Sequence, residues 1–324
     1  MMKNWLFLSA IFCSLIATSQ DISIKDATSK EGVPFATISF GNGKGTFADD
    51  DGVFRFTKKL YKDVDSLYIS SIGYQDLTIA TNTISSEILL TQEADQLEAV
   101  MLSAELNGKF KKKKQKPVAH NNYFNCWLPT VESEIAVRFD RIDNQPTRIS
   151  QLQFPIVKEE SQVSKKGKLR AFSTMIRIMF YDVENGQPSH RSFYPSMTYV
   201  ITEKSDDIIE IDIDHLNINI PKTGIFAAIQ ILGYTTPDGK LIKAKKYREI
   251  QTVRGLQKVS TTYRPLLPFT NEMEGKQTWV RRIFYNNKKW VLFDLNYNPN
   301  SSLVRSGHDN YGIGAEFKVF YKKD

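Results

Sequence analysis

Gly32-Val33-Pro34-Phe35-Ala36-Thr37-Ile38-Ser39-Phe40, then Gly45-Thr46-Phe47-Ala48-Asp49-Asp50-Asp51-Gly52-Val53-Phe54-Arg55-Phe56, then Ser71-Ile72-Gly73-Tyr74: these three runs decide the fold of the N-terminal third of the chain. Ala36, Ile38 and Phe40 alternate with polar neighbours, Phe54 and Phe56 flank Arg55, and the surrounding sequence repeats the pattern at Ile22 and Ile24 and at Leu67 and Ile69. A period of two sets one face of each segment on a core and the other in water, which predicts strands. Lys30-Glu31-Gly32, Gly41-Asn42-Gly43 and Asp50-Asp51-Gly52 supply the turns between them. Gly52 after Asp51 suits a turn with positive φ, which a residue with a Cβ adopts only at a cost. No helical period interrupts this region.

The order and spacing of the three runs resemble the carboxypeptidase-regulatory-like domain, a transthyretin-like β-sandwich of many bacterial envelope proteins. The resemblance covers about residues 21–104. It implies a seven-stranded sandwich over 20–104, an accessory role without catalytic residues of its own, and an envelope of the Bacteroidetes type. Residues 97–104 also resemble the segment that follows this domain in TonB-dependent receptors, yet the remaining ~220 residues are too few for a plug and a 22-stranded barrel. Leu97, Val100, Met101 and Ala104 have helical spacing as well, so residues 93–106 read equally as a final strand or a frayed helix.

At 324 residues the chain is long enough for two domains. Lys3 followed by an apolar run over 5–16, with Ala17 and Ser19 before Gln20, predicts an export signal over 1–19 and a mature start at Gln20. The run is too short to span a bilayer, and no later segment reaches ~18 apolar residues, so no transmembrane segment is expected in the mature chain. Cys13 lies inside the signal without the small residues of a lipoprotein signal, leaving Cys126 alone and no internal disulfide.

Lys109, Lys111 to Lys114 and Lys116 mark residues 105–122 as a lysine-rich linker, since dense like charge resists packing. From 123 to 324 the chain again alternates, over 135–139, 149–156, 172–181, 208–213, 225–232, 280–285, 290–295 and 315–321, with turns at Glu184-Asn185-Gly186, Pro237-Asp238-Gly239 and Asn286-Asn287-Lys288. This predicts a larger β-sandwich, jelly-roll-like, and an all-β protein throughout. Residues 123–324 resemble no family.

Neither a zinc-carboxypeptidase motif nor a serine-hydrolase motif is written in the chain. None of His120, His190, His215 and His308 has a Glu three residues on, as a carboxypeptidase zinc site needs, and Gly-x-Ser-x-Gly is missing. Gly41-Asn42-Gly43-Lys44-Gly45 lacks the following helix that would hold a phosphate. Asp49-Asp50-Asp51 reads as a turn rather than a calcium loop, and Glu210, Asp212 and Asp214 read as a solvated strand face. The +7 net charge comes partly from the lysine run, which has only Phe110 among it and so does not predict nucleic-acid binding. No cofactor or metal is expected. A sugar platform needs an exposed ring beside polar groups, and Trp279 with Arg281, and Trp290 with Asp294 and Tyr297, are the candidates. The sequence therefore reads as an exported, non-enzymatic binding or scaffolding protein of the periplasm or outer surface, contacting an envelope glycan or an outer-membrane protein. A hydrolase with its site on loops of the second domain is the alternative.

Overall fold

The computed structural model describes residues 20–57, 61–93, 106, 108–160, 167–192, 194–242, 247–253, 255–285 and 288–321. The expected export signal and residues 94–105, read as strand or helix, lie outside them. The described residues are nearly all β.

The N-terminal alternation forms β1 (Gln20–Asp26), β2 (Thr37–Gly41), β3 (Lys44–Phe47), β4 (Val53–Phe56), β5 (Ser66–Ser70), β6 (Leu77–Ala80) and β7 (Glu87–Leu90). They make two sheets, β4-β1-β7 and β3-β2-β5-β6. All pairs are antiparallel except β1 with β7. Ile22, Ile24, Ile38, Phe54, Leu67, Ile69 and Ile88, the apolar halves of the alternation, fill the space between the sheets. This is the seven-stranded sandwich that the motifs imply.

The Asp49–Gly52 segment is a turn held by its own side chain. Asp49 Oδ1 accepts the N–H groups of Asp51 and Val53 at 3.1 and 2.8 Å. Gly52 has φ +77°, and a Cβ there would lie 2.7 Å from both the Ile24 carbonyl oxygen and the Val33 nitrogen. Gly52→Val therefore meets a backbone clash on top of the ~1–2 kcal/mol for the left-handed conformation. Urea unfolding should show a loss beyond that range, whereas Asp50→Ala should change stability by under ~0.5 kcal/mol.

Tyr74 of the third motif serves the same end of the sandwich. Buried Asp26 closes β1 and accepts the N–H groups of Ser29 and Thr28, each at 2.7 Å, and the Gln92 amide at 2.6 Å. These hydrogen bonds, with a further one from Tyr74, lower its carboxyl from 3.8 to about 2. Because the folded value lies below the unfolded one, the stabilisation is complete above the ordinary value and drains as pH falls through about 2. Acid titration of stability should accordingly be shallower in Asp26→Asn than in wild type between those two values.

The second module begins with β8 (Phe110–Gln115), inside the expected linker. Next come β9 (Cys126–Trp127), β10 (Ser133–Phe139), β11 (Thr147–Pro155), β12 (Ser173–Glu184), β13 (Gln187–Pro188), β14 (Met197–Thr202), β15 (Ile208–Asp212) and β16 (Ile225–Tyr234). β17 (Tyr247–Thr252) and β18 (Gly255–Ser260) form a hairpin of their own. They are followed by β19 (Leu267–Thr270), β20 (Thr278–Arg282), β21 (Val291–Leu292), the short helix α1 (Ser302–Arg305), β22 (Asn310–Tyr311) and β23 (Gly314–Phe320). The larger sheet runs β14-β12-β16-β10-β20-β21, with β13 folded back on β12; the smaller runs β15-β11-β23-β8. Ile176, Ile178 and Phe180 of β12 and Ile225, Ala227, Ile229 and Ile231 of β16 face Leu152, Phe154, Ile209, Ile211 and Phe317 in the core between them.

The lysine run is thus corrected from tether to edge strand. β8 pairs with β23 from Phe110 opposite Phe320 to Gln115 opposite Ala315. As the outermost strand it keeps its lysines in solvent, so their mutual repulsion is screened while the backbone bonds inward; Lys114 pairs with Glu316 and the Lys111 ammonium lies 5.0 Å from the Tyr321 ring centre. Lysines on an edge also deter pairing with another chain.

Candidate functional site

The larger sheet packs its inward residues on the smaller sheet, and part of its outward face is covered by Trp290 and Trp279 of the same module and by Ile72 of the N-terminal module. Phe284, just after β20, is the anchor. Its carbonyl accepts Ser39 Oγ at 2.7 Å and the Gly43 N–H at 3.1 Å. Its ring packs against Phe47, centroids 5.5 Å apart. A Cβ at Gly45 would sit 2.4 Å from the Phe284 ring, so only glycine lets the β2–β3 hairpin approach this closely. The Gly41–Gly45 segment, weighed above as a phosphate loop, is this docking hairpin. Ile72 of the third motif packs against the second module's outward cluster, which contains Met179, Tyr181, Phe226 and Trp290.

Beneath that contact runs a row of polar side chains across four adjacent strands. Arg177 of β12 is opposite Gln230 of β16, Gln230 is opposite Glu134 of β10, and Glu134 is opposite Arg281 of β20. All four are buried. Glu134 accepts Arg281 Nε at 3.0 Å, the Tyr181 hydroxyl at 2.7 Å and Gln230 Nε2 at 3.3 Å. The remaining Arg281 nitrogens donate to the Tyr181 hydroxyl (2.8 Å) and the His190 carbonyl (3.1 Å). Burial opposes the Arg281 charge, but Glu134 and Tyr181 outweigh it and hold the guanidinium above its ordinary range. Burial likewise keeps the Tyr181 hydroxyl protonated, hence a donor.

Over this row, between the modules, lies a cleft of about 90 Å³. Arg177, Gln230 and Arg281 line it from the second module, and Ser71, Gly73 and Asp76 from the first. Its rim carries ion pairs that cross the interface. Arg191 pairs with Glu93 and Asp76 at 2.5 and 3.8 Å, and Lys288 reaches Asp76 at 4.0 Å and Ser70 Oγ at 2.8 Å. Burial lowers the Lys288 ammonium, and burial together with Arg281, Lys288 and Arg191 lowers His190. Of the cations that line it, Arg191, Lys288 and Arg281 stand in ion pairs with carboxylates.

The five site residues read from the sequence divide. Arg281 and Trp290 do meet, guanidinium over ring at 4.3 Å, but as a buried pair. Trp290 is 4 % exposed and donates Nε1–H to the Ser189 carbonyl at 3.2 Å, so it cannot present a sugar platform. Trp279 is partly buried, edge-on to Phe226 at 6.4 Å. Buried Asp294 accepts the N–H groups of Asn296 and Tyr297 in a turn; only Tyr297, 56 % exposed, remains a surface ring. Of the five, only Arg281 lines the cleft.

The sequence reading missed Arg177, Gln230 and Glu134. The signal was there: each is a polar residue inside an otherwise buried apolar strand, as in Met175-Ile176-Arg177-Ile178-Met179. The acidic groups weighed for calcium are otherwise engaged: Glu210 accepts Gln153 at 2.6 Å, Asp212 accepts the Asp214 N–H at 2.9 Å, and Asp214 pairs with Lys318 at 2.5 Å. Among the described residues no group of three His, Cys, Asp or Glu side chains could hold a metal ion. Cys126 is free and buried, and burial raises its thiol to about 12. No helix among the described residues is long and apolar enough to cross a membrane.

Residues 23–102 match the family model of the CarboxypepD_reg-like domain, a non-catalytic family. No curated protein and no solved structure matches the chain.

Proposed function

We propose that a chain carrying a CarboxypepD_reg-like module over its first third is an exported binding protein of the bacterial envelope. In this reading the module is docked on a larger sandwich and the two recognise a ligand or partner without turning it over. The observation that carries it is the buried polar row of Arg177, Gln230, Glu134 and Arg281, of which Arg177, Gln230 and Arg281 line a cleft between the modules. Side chains this costly to bury are retained in clefts that recognise polar ligands. Its carboxylate is held in a salt bridge rather than poised beside a nucleophile. The Ser306 Oγ···His308 Nδ1 contact of 3.0 Å belongs to the end of α1, where Ser306 Oγ also bonds the Ser302 and Leu303 carbonyls. Cys126 is too buried and its thiol too weakly acidic to attack a substrate.

The test uses the full mature chain. It should give no hydrolysis of peptide or envelope glycan above a heat-treated control, and should retain outer-membrane proteins or glycan fragments from an envelope extract. Hydrolysis abolished by one carboxylate or histidine change would overturn the reading and establish the hydrolase alternative.

A further inference from the structure

Four cations line the cleft, and one is unlike the rest. Arg191 and Lys288 have carboxylates on the rim and Arg281 has Glu134. Arg177, 6 % exposed, has no carboxylate within ion-pairing distance among the described residues. One of its terminal nitrogens donates to the Phe35 carbonyl, and the guanidinium lies 5.9 Å from the ring centres of Phe35 and Phe47. One carbonyl engages only one of five N–H donors. Burial pulls Arg177 down to about 10, only partly offset by Tyr181 and Glu134. A buried guanidinium without an anion is costly, and an anion entering the cleft would remove that cost.

Its cross-strand neighbour carries the complementary deficit. Gln230 is 3 % exposed and lines the same cleft. Its Nε2 is committed to Glu134, an acceptor, which fixes the amide orientation; its Oε1 has no hydrogen-bond partner. Along the cleft wall, cationic donors not used by the Phe35 carbonyl therefore stand beside a buried neutral acceptor that has no partner. Arg177 and Gln230 are directly opposed on paired strands, so their side chains are neighbours on the same face of the sheet. The volume, about 90 Å³, holds several waters or the acidic end of a small molecule.

We infer that the cleft binds a small carboxylate bearing a neighbouring hydroxyl, with Arg177 holding the carboxylate and Gln230 Oε1 accepting the hydroxyl. A hydroxy acid and the acidic residue of a glycan share this chemistry. The inference deepens the binding reading above and rests on it.

The test is calorimetric titration of the full mature chain with L-lactate and D-galacturonate, with acetate and D-galactose as probes lacking the hydroxyl and the carboxylate respectively. Either or both of the first two should bind saturably, at least about tenfold more tightly than the controls, because each loses a hydrogen bond to a buried group. Lactate binding marks a free hydroxy acid as the source; galacturonate binding alone marks an acidic glycan. Gln230→Leu should weaken binding about tenfold or more, and Arg177→Lys likewise, since an ammonium cannot reproduce the planar fork. Arg177 also touches the first module, so Gln230→Leu, which leaves that contact in place, decides if Arg177→Lys melts early. No saturable heat up to about 50 mM, equal binding of acetate, or undiminished binding by folded Gln230→Leu would each overturn the inference. Conversion of a probe during titration, read by NMR, would leave the site standing and sink the non-catalytic reading instead.

Discussion

Glu134→Ala should cost about 3–5 kcal/mol, because it strands the Arg281 guanidinium, 8 % exposed, in a buried site with no carboxylate. It also removes the acceptor of the Tyr181 hydroxyl and of the Gln230 amide. Chemical denaturation of the full chain measures the loss. Combining Glu134→Met with Arg281→Met removes both charges at once and should be milder than the single truncation, since an apolar pair of similar size replaces the ion pair. A double variant as unstable as Glu134→Ala would mean that packing, not the stranded charge, dominates.

Phe284→Ala should cost a similar ~3–5 kcal/mol through the cavity left by a fully buried ring. Its distinguishing effect is on cooperativity. Phe284 packs against Phe47 and belongs to the core of the second module, so the two sandwiches share it. Wild type should unfold in one calorimetric transition, and the variant in two, as each sandwich then melts on its own core. A single transition in the variant would place the coupling in the Arg191 and Lys288 ion pairs instead.

The period-two patterns of the first module and those over 135–139, 149–156, 172–181, 208–213, 225–232 and 315–321 become strands nearly where they were read, because alternation with turn residues is local information, whereas of 290–295 only Val291–Leu292 is strand. The Asn185–Gly186 turn between β12 and β13, with φ values of 52° and 81°, was legible for the same reason. What failed was non-local. Nothing near Lys111 to Lys114 reveals that β23, some two hundred residues on, supplies the hydrogen bonds that outweigh charge repulsion. Trp290 was legible as an aromatic beside Arg281, but its burial depends on Ser189 and Tyr181 from another hairpin. The polar row was written as isolated misfits in apolar strands, and only the register of β12, β16, β10 and β20 aligns them. The docking function of Gly45 needed Phe284, which lies in no motif.

Because β8 completes the smaller sheet, the point at which the chain is cut decides how a fragment behaves. A fragment starting at Tyr123, the boundary that composition suggests, would leave the backbone groups of Gly314–Phe320 along β23 unpaired on one side. Such a strip seeks another strand, so that fragment should self-associate with rising concentration, whereas one retaining residues from 106 onward should stay monodisperse at that edge.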